Sequence, residues 1–208
     1  MDIVIATRNR KKAEEIKKIL NESPMTEALP LGSILTLEDF PQCPDIEEDG
    51  ETFEANAVKK AGHVAGYTGM ITIADDSGLE VNALGGAPGV LSARYGGEHG
   101  NDRKNIEKLL EEMKSLPQEK REARFVCCIA MAFPDGNVKT FSGYVKGSIG
   151  REPIGENGFG YDPVFYPEGE ERTFAQMSDD EKNAISHRGK ALRQLQEYLS
   201  TQRGQCHP

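Results

Sequence analysis

Two adjacent carboxylates, Asp75 and Asp76, directly follow an apolar run rich in β-branched residues at positions 70–74. Such a run is typical of a buried strand. Successive side chains of a strand point to opposite faces, so the two carboxylates cannot both enter one core. We therefore expect the strand to end at Ala74, with at least one carboxylate at its carboxyl end, where α/β sheets bind ligands. Taken alone, Asp-Asp-Ser-Gly is equally typical of a polar turn, so the case for chemistry depends on the rest of the chain.

Length and charge limit the possible functions. The chain has 208 residues, of which 37% are hydrophobic, and this suits one domain, or one domain with a smaller lobe, around a sizeable core. The formal net charge is −9. That charge argues against a protein that coats DNA or RNA regardless of sequence, because such binding needs a broad basic surface. A small anion needs only a local cluster of Lys and Arg, so it stays allowed.

The cysteines and the apolar runs favour a soluble, cytoplasmic protein. No Cys-x-x-Cys pair occurs, so we expect buried free thiols rather than a disulfide framework or a zinc site. The N-terminus has no signal-peptide pattern, and the longest apolar run, residues 126–133, is too short to cross a bilayer. The four cysteines are Cys43, Cys127, Cys128 and Cys206.

The first 20 residues have the pattern of a strand, a polar loop and a helix. Residues 3–6 are a buried-type strand, residues 7–10 form the loop, and apolar residues then recur at helical spacing from Ala13 to Leu20. Backbone N–H groups at a helix N-terminus suit a phosphate, and a basic first turn opposes the helix dipole unless an anion is present. The glycines of a Walker A loop are missing, yet we favour phosphate binding over a solvated, capped helix. The side chains available there are Thr7, Arg8, Asn9, Arg10, Lys11 and Lys12.

The rest of the chain alternates β-type runs with helical patterns, which indicates an α/β protein without a clear domain boundary. Residues 41–50 form an acidic loop of a kind that is usually a solvated face. We predict a further strand within residues 21–40, a helix over 52–65 that carries Lys60, a glycine-rich run over 79–97, a helix over 101–114, a hairpin from 123–133 and 138–145, a strand over 163–166, a capped helix after Ser178 and a last helix from Ser186.

The C-terminal third carries a second group of polar and aromatic residues. Phe159 stands between two glycines, and a ring exposed in this way can stack on a base, which is worth about 1–3 kcal/mol. Aromatic residues beside glycines also often only pack a turn. His187 alone is typical of a helix N-terminal turn. Together with Asp162, Lys182 and Arg188, however, it favours donors and acceptors arranged for the edge of a heterocycle.

Five blocks carry a resemblance over nearly the whole chain, from Ile3 to about Leu195. They are residues 6–12, 52–57, 74–95 and 157–163, and Lys182 with residues 186–189. In this order they resemble the inosine triphosphate pyrophosphatase family, also called Ham1-like proteins or non-canonical purine NTP pyrophosphatases. The resemblance implies one such domain over residues 1–208. It also implies an α/β fold with an elongated, twisted mixed β-sheet flanked by helices, two lobes around a central nucleotide-binding cleft, and usually a homodimer.

The resemblance also implies roles for individual residues. Asp76 matches the proton acceptor and a magnesium ligand, and Glu47 matches the partner metal ligand. Residues 7–12 match the block that holds the triphosphate, and Lys60 resembles a further phosphate contact. The other substrate-binding positions carried over are Ser77, Phe159, Gly160, Tyr161, Asp162, Lys182, His187 and Arg188.

The implied activity is hydrolysis of ITP, dITP and XTP to the monophosphate and pyrophosphate, which removes deaminated purines from the nucleotide pool. Carboxylates suit Mg²⁺, a hard ion that prefers oxygen and keeps several waters, and Asp76 would take the proton of the attacking water. Donors on Lys182 and Arg188 would meet the oxygen at position six of the base. Facing the amino group of adenine, each buried donor would be unpaired, at about 1–3 kcal/mol.

Two positions depart from the pattern: Arg8 stands where a Gly is common, and Gln176 where a Glu is common. We expect Arg8 to make the first loop bulkier. Gln176 puts a carboxylate role at that position in doubt.

Three alternative functions stay open. The chain could be a Maf-like pyrophosphatase acting on dUTP, modified pyrimidine nucleotides or GTP, a non-catalytic nucleotide-binding protein, or a nucleic-acid-binding module, which the net charge disfavours.

Overall fold

The computed structural model describes residues 2–21 and 32–203. Two parts of the chain that we interpret from the sequence lie outside these residues. They are Cys206, and residues 22–31 of the segment over 21–40 in which we predict a second strand. That strand is nevertheless confirmed at Ile34–Thr36.

The described residues form a mixed six-stranded sheet with helices, which confirms the predicted α/β class. The strand order is β2-β1-β3-β4-β5-β6. Strand β1 pairs in parallel with β2 and β3, with Ile3 opposite Ile34 and Ile71, whereas β5 and β6 are antiparallel, with Ile149 opposite Phe165. The strands are β1 (Ile3–Ile5), β2 (Ile34–Thr36), β3 (Ile71–Val81), β4 (Glu122–Ala132), β5 (Val138–Ile149) and β6 (Phe165–Pro167). The helices are α1 (Arg10–Asn21), α2 (Phe53–Thr68), α3 (Asp102–Glu112), α4 (Asp179–Ile185) and α5 (His187–Arg203).

The chain divides into two compact units. Unit 1 comprises residues 1–76, 127–143 and 188–208, and unit 2 comprises residues 77–126 and 144–187. Unit 1 has an apolar core that includes Ile5, Ile16, Ile73, Ile129 and Leu195.

Unit 2 has a core of its own, built around Leu79, Leu109, Phe125, Phe165 and Phe174. The aromatic rings pack directly, with centroids of Phe125 and Phe165 4.7 Å apart. Two lobes around a cleft, like the single domain over 1–208, stay predictions.

One predicted boundary is wrong. Strand β3 does not end at Ala74 but continues to Val81, so Asp75 and Asp76 lie in the middle of a strand rather than at its end or in a turn. Both side chains are buried. A strand can carry buried carboxylates here because each of them faces cationic side chains, which a reading of residues 70–78 alone does not reveal.

Most other predicted elements are confirmed within a few residues. Asn101 and Thr52 cap α3 and α2 through their side chains, and Ser178 and Glu181 form the capping box that opens α4. The predicted thiols Cys43, Cys127 and Cys128 are buried and free. Within the described residues, no helix combines the length and the apolar character needed to cross a membrane.

Candidate functional site

Side-chain hydrogen bonds shape the loop between β1 and α1. Asn9 caps α1, because its Oδ1 accepts a hydrogen bond from the Lys12 backbone N–H at 3.2 Å. Thr7 Oγ1 in turn accepts from the Asn9 N–H, also at 3.2 Å. The first turn of α1 contains no acidic residue, so the helix dipole is not offset by a carboxylate from that turn. The predicted loop and capped helix start are therefore present, with no carboxylate in the first turn of α1, and phosphate binding there stays a prediction.

The basic side chains of this loop do not act alike. Arg10 extends into solvent and pairs with Glu38 at 2.8 Å. Arg8 pairs with Asp45 and also donates to the Cys43 carbonyl at 2.8 Å. Arg8, which stands where a Gly is common, therefore links the loop after β1 to the loop at residues 41–50. Lys11 is exposed, and only Lys12 turns inward, with 17% of its side chain exposed.

Asp75 is the centre of a buried polar network in unit 1. Its Oδ1 lies 2.6 Å from Lys12 Nζ, and its Oδ2 lies 3.0 Å from both Arg188 Nε and Cys127 Sγ. Arg188 also donates to Glu15 at 2.6 Å. Burial alone would raise the pKa of Asp75, but Arg188 and Lys12 outweigh it and hold that pKa well below its usual range. We call Glu15, Lys12, Asp75, Cys127 and Arg188 the Asp75 network.

Asp76, on the opposite face of β3, faces a different cation. Lys60 Nζ lies 3.5 Å from Asp76 Oδ1, 2.6 Å from Glu48 Oε1 and 2.7 Å from the Asp75 carbonyl oxygen. Burial opposes the charge on Lys60, yet Asp76 and Glu48 outweigh it and raise the pKa of that lysine. Burial also raises the pKa of Asp76, against the opposing effect of Lys60. We call Glu48, Lys60 and Asp76 the Asp76 cluster.

Glu48 is the residue that sequence reasoning missed. The predicted metal ligand Glu47 is exposed, and it has no hydrogen bond or ion pair within the part of the chain that the structure describes. Its neighbour Glu48 contacts Lys60 instead. The sequence signal was the acidic run at 47–49, but which member of it faces inward depends on the path of the loop.

A second group of predicted residues lies in unit 2, on a turn at residues 158–162. Asp162 Oδ2 accepts hydrogen bonds from the Phe159 N–H at 2.9 Å and from Lys182 Nζ at 2.7 Å. The same ammonium lies 4.8 Å from the Phe159 ring centroid. Gly158 has a positive φ of 72°, and a Cβ there would collide with the Asp162 carboxylate, so the turn requires glycine. Phe159, Asp162 and Lys182 form what we call the Phe159 group.

The glycine-rich run supports this turn. Tyr161 is buried and its hydroxyl donates to the Ser92 carbonyl at 3.0 Å, while the Gly160 N–H donates to Asp102 at 2.8 Å. Of the two aromatic residues, therefore, only the half-buried Phe159 is available as a platform. Neither Ser92 nor Asp102 can be recognised from the sequence as a support of this turn, because their partners are distant in the chain.

The remaining predicted residues have clear places. His187 is buried and stacks on Phe125, with ring centroids 4.7 Å apart and planes 7° apart, and Ser77 is half-buried at the start of unit 2. Gln176 Oε1 accepts from the Thr173 N–H at 2.9 Å, so this amide caps a short turn just as a carboxylate would. Arg188, predicted as a donor to the base, has its guanidinium on Asp75 and Glu15, and its base contact stays a prediction.

These features define an α/β protein with a basic, capped helix start and a buried carboxylate facing a lysine. Comparisons with known proteins identify the family to which such a chain belongs. A model of the Ham1 family matches residues 3–198. The chain is 50% identical to a dITP/XTP pyrophosphatase of Geobacter sulfurreducens, over 96% of this chain and 97% of that protein.

Solved structures are similar as well. The Ham1 protein of Staphylococcus aureus superposes with a TM-score of 0.84 at 42% identity, covering 97% of this chain and 100% of that one. A nucleoside-triphosphatase, or dITP/XTP pyrophosphatase, of Mycobacterium abscessus has a TM-score of 0.75 at 45% identity, over 94% of this chain and 98% of that one. The chain belongs to the Ham1 family.

Proposed function

We propose that this chain is a pyrophosphatase that hydrolyses ITP, dITP and XTP to the nucleoside monophosphate and pyrophosphate. Its relatives named dITP/XTP pyrophosphatase support the substrate class, and they favour it over a Maf-like activity on pyrimidine nucleotides or a non-catalytic binding role. The structural observation that carries the proposal is Asp76 Oδ2. This oxygen is buried and has no hydrogen-bond partner among the residues the structure describes, so it is available to a metal ion or an attacking water.

The Asp76 cluster fits Mg²⁺. Two carboxylates and a backbone carbonyl already surround one cation, the Lys60 ammonium, and the second oxygen of Asp76 is unused. No set of three or more His, Cys, Asp or Glu side chains that could hold a metal occurs within residues 2–21 and 32–203. Mg²⁺ does not need one, since it binds through one or two carboxylates together with substrate phosphates and water. Asp76 and Glu48 would hold the ion, which would neutralise phosphate charge and acidify a bound water.

The side chains of unit 1 then have distinct tasks. Asp76 accepts the proton of the water that attacks the α-phosphorus, and its burial, which raises its pKa, makes it a stronger base than an exposed Asp. Lys60 and Lys12 stabilise negative charge on the leaving pyrophosphate. The N–H groups at the start of α1 bind phosphate oxygens.

The Phe159 group supplies recognition of the base. The Phe159 ring offers a stacking surface, and Lys182, held in place by Asp162, donates to the oxygen at position six of hypoxanthine or xanthine. Adenine presents an amino group there, which cannot accept this hydrogen bond. Deaminated purines are therefore preferred over adenine.

Labelled water tests the proposed reaction directly. Hydrolysis of ITP in H₂¹⁸O with Mg²⁺ should place the label in the monophosphate, because water attacks the α-phosphorus, and should release unlabelled pyrophosphate. Label in inorganic phosphate would indicate attack at the terminal phosphorus. Absence of hydrolysis with and without Mg²⁺ would favour the non-catalytic alternative.

We predict that Glu48→Gln raises the Mg²⁺ concentration needed for half-maximal activity by about tenfold or more, because even indirect partners of a metal cost 10–100-fold. Glu47→Gln is the matched control, with the same chemistry one residue away on an exposed side chain, and it should change this concentration by less than about twofold. A magnesium titration of both variants measures the difference. The reverse result would restore Glu47 as the ligand.

We further predict that Lys182→Met lowers the ratio of kcat/KM for ITP to that for ATP by about tenfold, since one buried donor is worth about 1–3 kcal/mol. Lys190→Met, which removes the same charge from an exposed position of α5, should leave the ratio unchanged. If Lys182→Met slows both substrates equally, the lysine does not select the base.

Three features implied by the resemblance complete the proposal: Mg²⁺ as the cofactor, a homodimer as the acting form, and a cytoplasmic location. Light scattering on a size-exclusion column tests the dimer. A single-chain mass at micromolar concentration would refute it.

A further inference from the structure

Asp75 holds the one basic side chain of the phosphate-binding turn that points inward. Lys12 is the third residue of α1, and its backbone N–H is bonded to the Asn9 cap while its ammonium lies 2.6 Å from Asp75 Oδ1. A lysine side chain has a flexible four-carbon stem that can adopt many rotamers. One fixed acceptor at its end selects a single position for the ammonium and leaves its other N–H donors for a ligand.

The Asp75 carboxylate is itself held rigidly. Arg188 contacts both of its oxygens, with Nε 3.0 Å from Oδ2 and Nη2 3.4 Å from Oδ1, and Cys127 Sγ donates to Oδ2 at 3.0 Å. The Asp75 side chain has no exposed surface and that of Arg188 only 1%. An acceptor fixed from several sides in this way can position a flexible partner.

The same network also ties down the helix that carries Lys12. Glu15 lies three residues further along α1, hence on the same face as Lys12, and its Oε2 is 2.6 Å from Arg188 Nη1. Helix α1 is thus linked to Asp75 twice, through Lys12 directly and through Glu15 and Arg188. These contacts all lie within unit 1.

We propose that Asp75 is a positioning residue that holds the Lys12 ammonium ready for the phosphates of the substrate. The inference rests on the proposed function, in which Lys12 contacts the leaving pyrophosphate. Asp75 touches neither substrate nor metal in this account and acts only through Lys12.

The charge of Asp75 and its positioning role predict opposite changes in polyphosphate affinity when Asp75 is replaced by Asn. The direction of the measured change therefore tests the inference. Asp75→Asn removes a negative charge beside a phosphate-binding lysine, so Coulomb's law alone would strengthen the binding of a polyphosphate. If Asp75 positions Lys12, the same change weakens binding, because the ammonium loses its fixed place.

The experiment measures the Kd of inorganic tripolyphosphate by calorimetry and the KM for ITP, on the full chain. We expect Asp75→Asn to raise both by about tenfold, which corresponds to about 1.4 kcal/mol. In a Lys12→Met background the same substitution should change neither, because a residue that acts through Lys12 has nothing left to position. Asp135→Asn, an equal charge change in an exposed turn of unit 1, controls for net charge.

Several results would overturn the inference. Tighter binding in Asp75→Asn would show that the charge of Asp75 matters and its position does not, and unchanged binding would show that Asp75 does not position Lys12. An equal loss with and without Lys12 would indicate a purely structural role.

Asp75→Glu keeps the charge that faces Arg188 and moves the acceptor by one methylene, so it supplies the test if the asparagine variant does not fold. It should also weaken tripolyphosphate binding, and wild-type affinity in it would refute the inference. Since tripolyphosphate binding needs no turnover, a chain that bound it in an Asp75-dependent way without hydrolysing ITP would refute the proposed function alone.

Discussion

Asp76→Asn should lower kcat for ITP hydrolysis by about a thousandfold, because in the proposed mechanism Asp76 is the general base, a role that contributes about 10²–10⁴-fold, and would also hold Mg²⁺. Asparagine has nearly the same shape but accepts no proton at neutral pH and binds Mg²⁺ weakly. The measurement is pyrophosphate release under saturating ITP and Mg²⁺. Activity near that of the wild type would remove Asp76 from the proposed mechanism.

The same variant should not lose stability. Burial raises the pKa of Asp76, so the native state disfavours the charged carboxylate and this group costs stability above its unfolded pKa. Replacing it by a neutral amide removes that cost, and the Tm at pH 7 should stay the same or rise. A variant that is inactive because it is unfolded would show a lower Tm instead, which separates the two causes.

Arg121→Met should have the largest effect on stability, a loss of about 3 kcal/mol or more, with about 1–3 kcal/mol for each buried acceptor left without a donor. Arg121 is 1% exposed, and it donates to three backbone carbonyls, those of Met113 at 2.6 Å, Ile149 at 2.8 Å and Gly150 at 2.6 Å. The Arg121 guanidinium thus connects the C-terminal end of α3 to the C-terminal end of β5 within unit 2. Methionine fills a similar volume but satisfies none of the three.

Urea denaturation of the full chain measures this loss, and Arg124→Met is its matched control. Arg124 lies three residues further, in β4, and pairs with Glu80 at 2.6 Å while half exposed, so its loss should cost about 0–1 kcal/mol. Equal effects for the two arginines would show that the buried hydrogen bonds of Arg121 do not support unit 2.

Much of the fold could be predicted from the sequence because local signals were strong. The Ser178–Glu181 capping box, the turn at 134–137 and the apolar spacing of α1 each specify an element within a few residues. The end of β3 could not be predicted in this way. Asp75 and Asp76 stay in the strand because Lys12, Lys60 and Arg188 compensate their charge, and these partners are remote in the sequence.

The candidate site likewise includes residues that the sequence could predict and contacts that it could not. Residue types and blocks were sufficient to predict Lys12, Lys60, Asp76 and the Phe159 group as candidate site residues, and their roles stay predictions. They could not show which carboxylate of residues 47–49 meets Lys60, nor that Arg8, Arg10 and Arg188 face carboxylates in this structure. An arginine or lysine in a basic block is an equally good partner for a phosphate and for a protein carboxylate, and only the tertiary path of the chain decides between the two.

The most direct test of the central claim is pyrophosphate release from six nucleotides at alkaline pH with Mg²⁺: ITP, XTP, dITP, GTP, ATP and dUTP. We predict that kcat/KM for each of the first three exceeds that for ATP by about tenfold or more, as one unpaired buried donor requires, and that dUTP, a pyrimidine nucleotide, is turned over no better than ATP. Turnover of dUTP alone would keep the fold and refute recognition of the purine edge. Equal turnover of ITP and ATP would contradict the account of the Phe159 group.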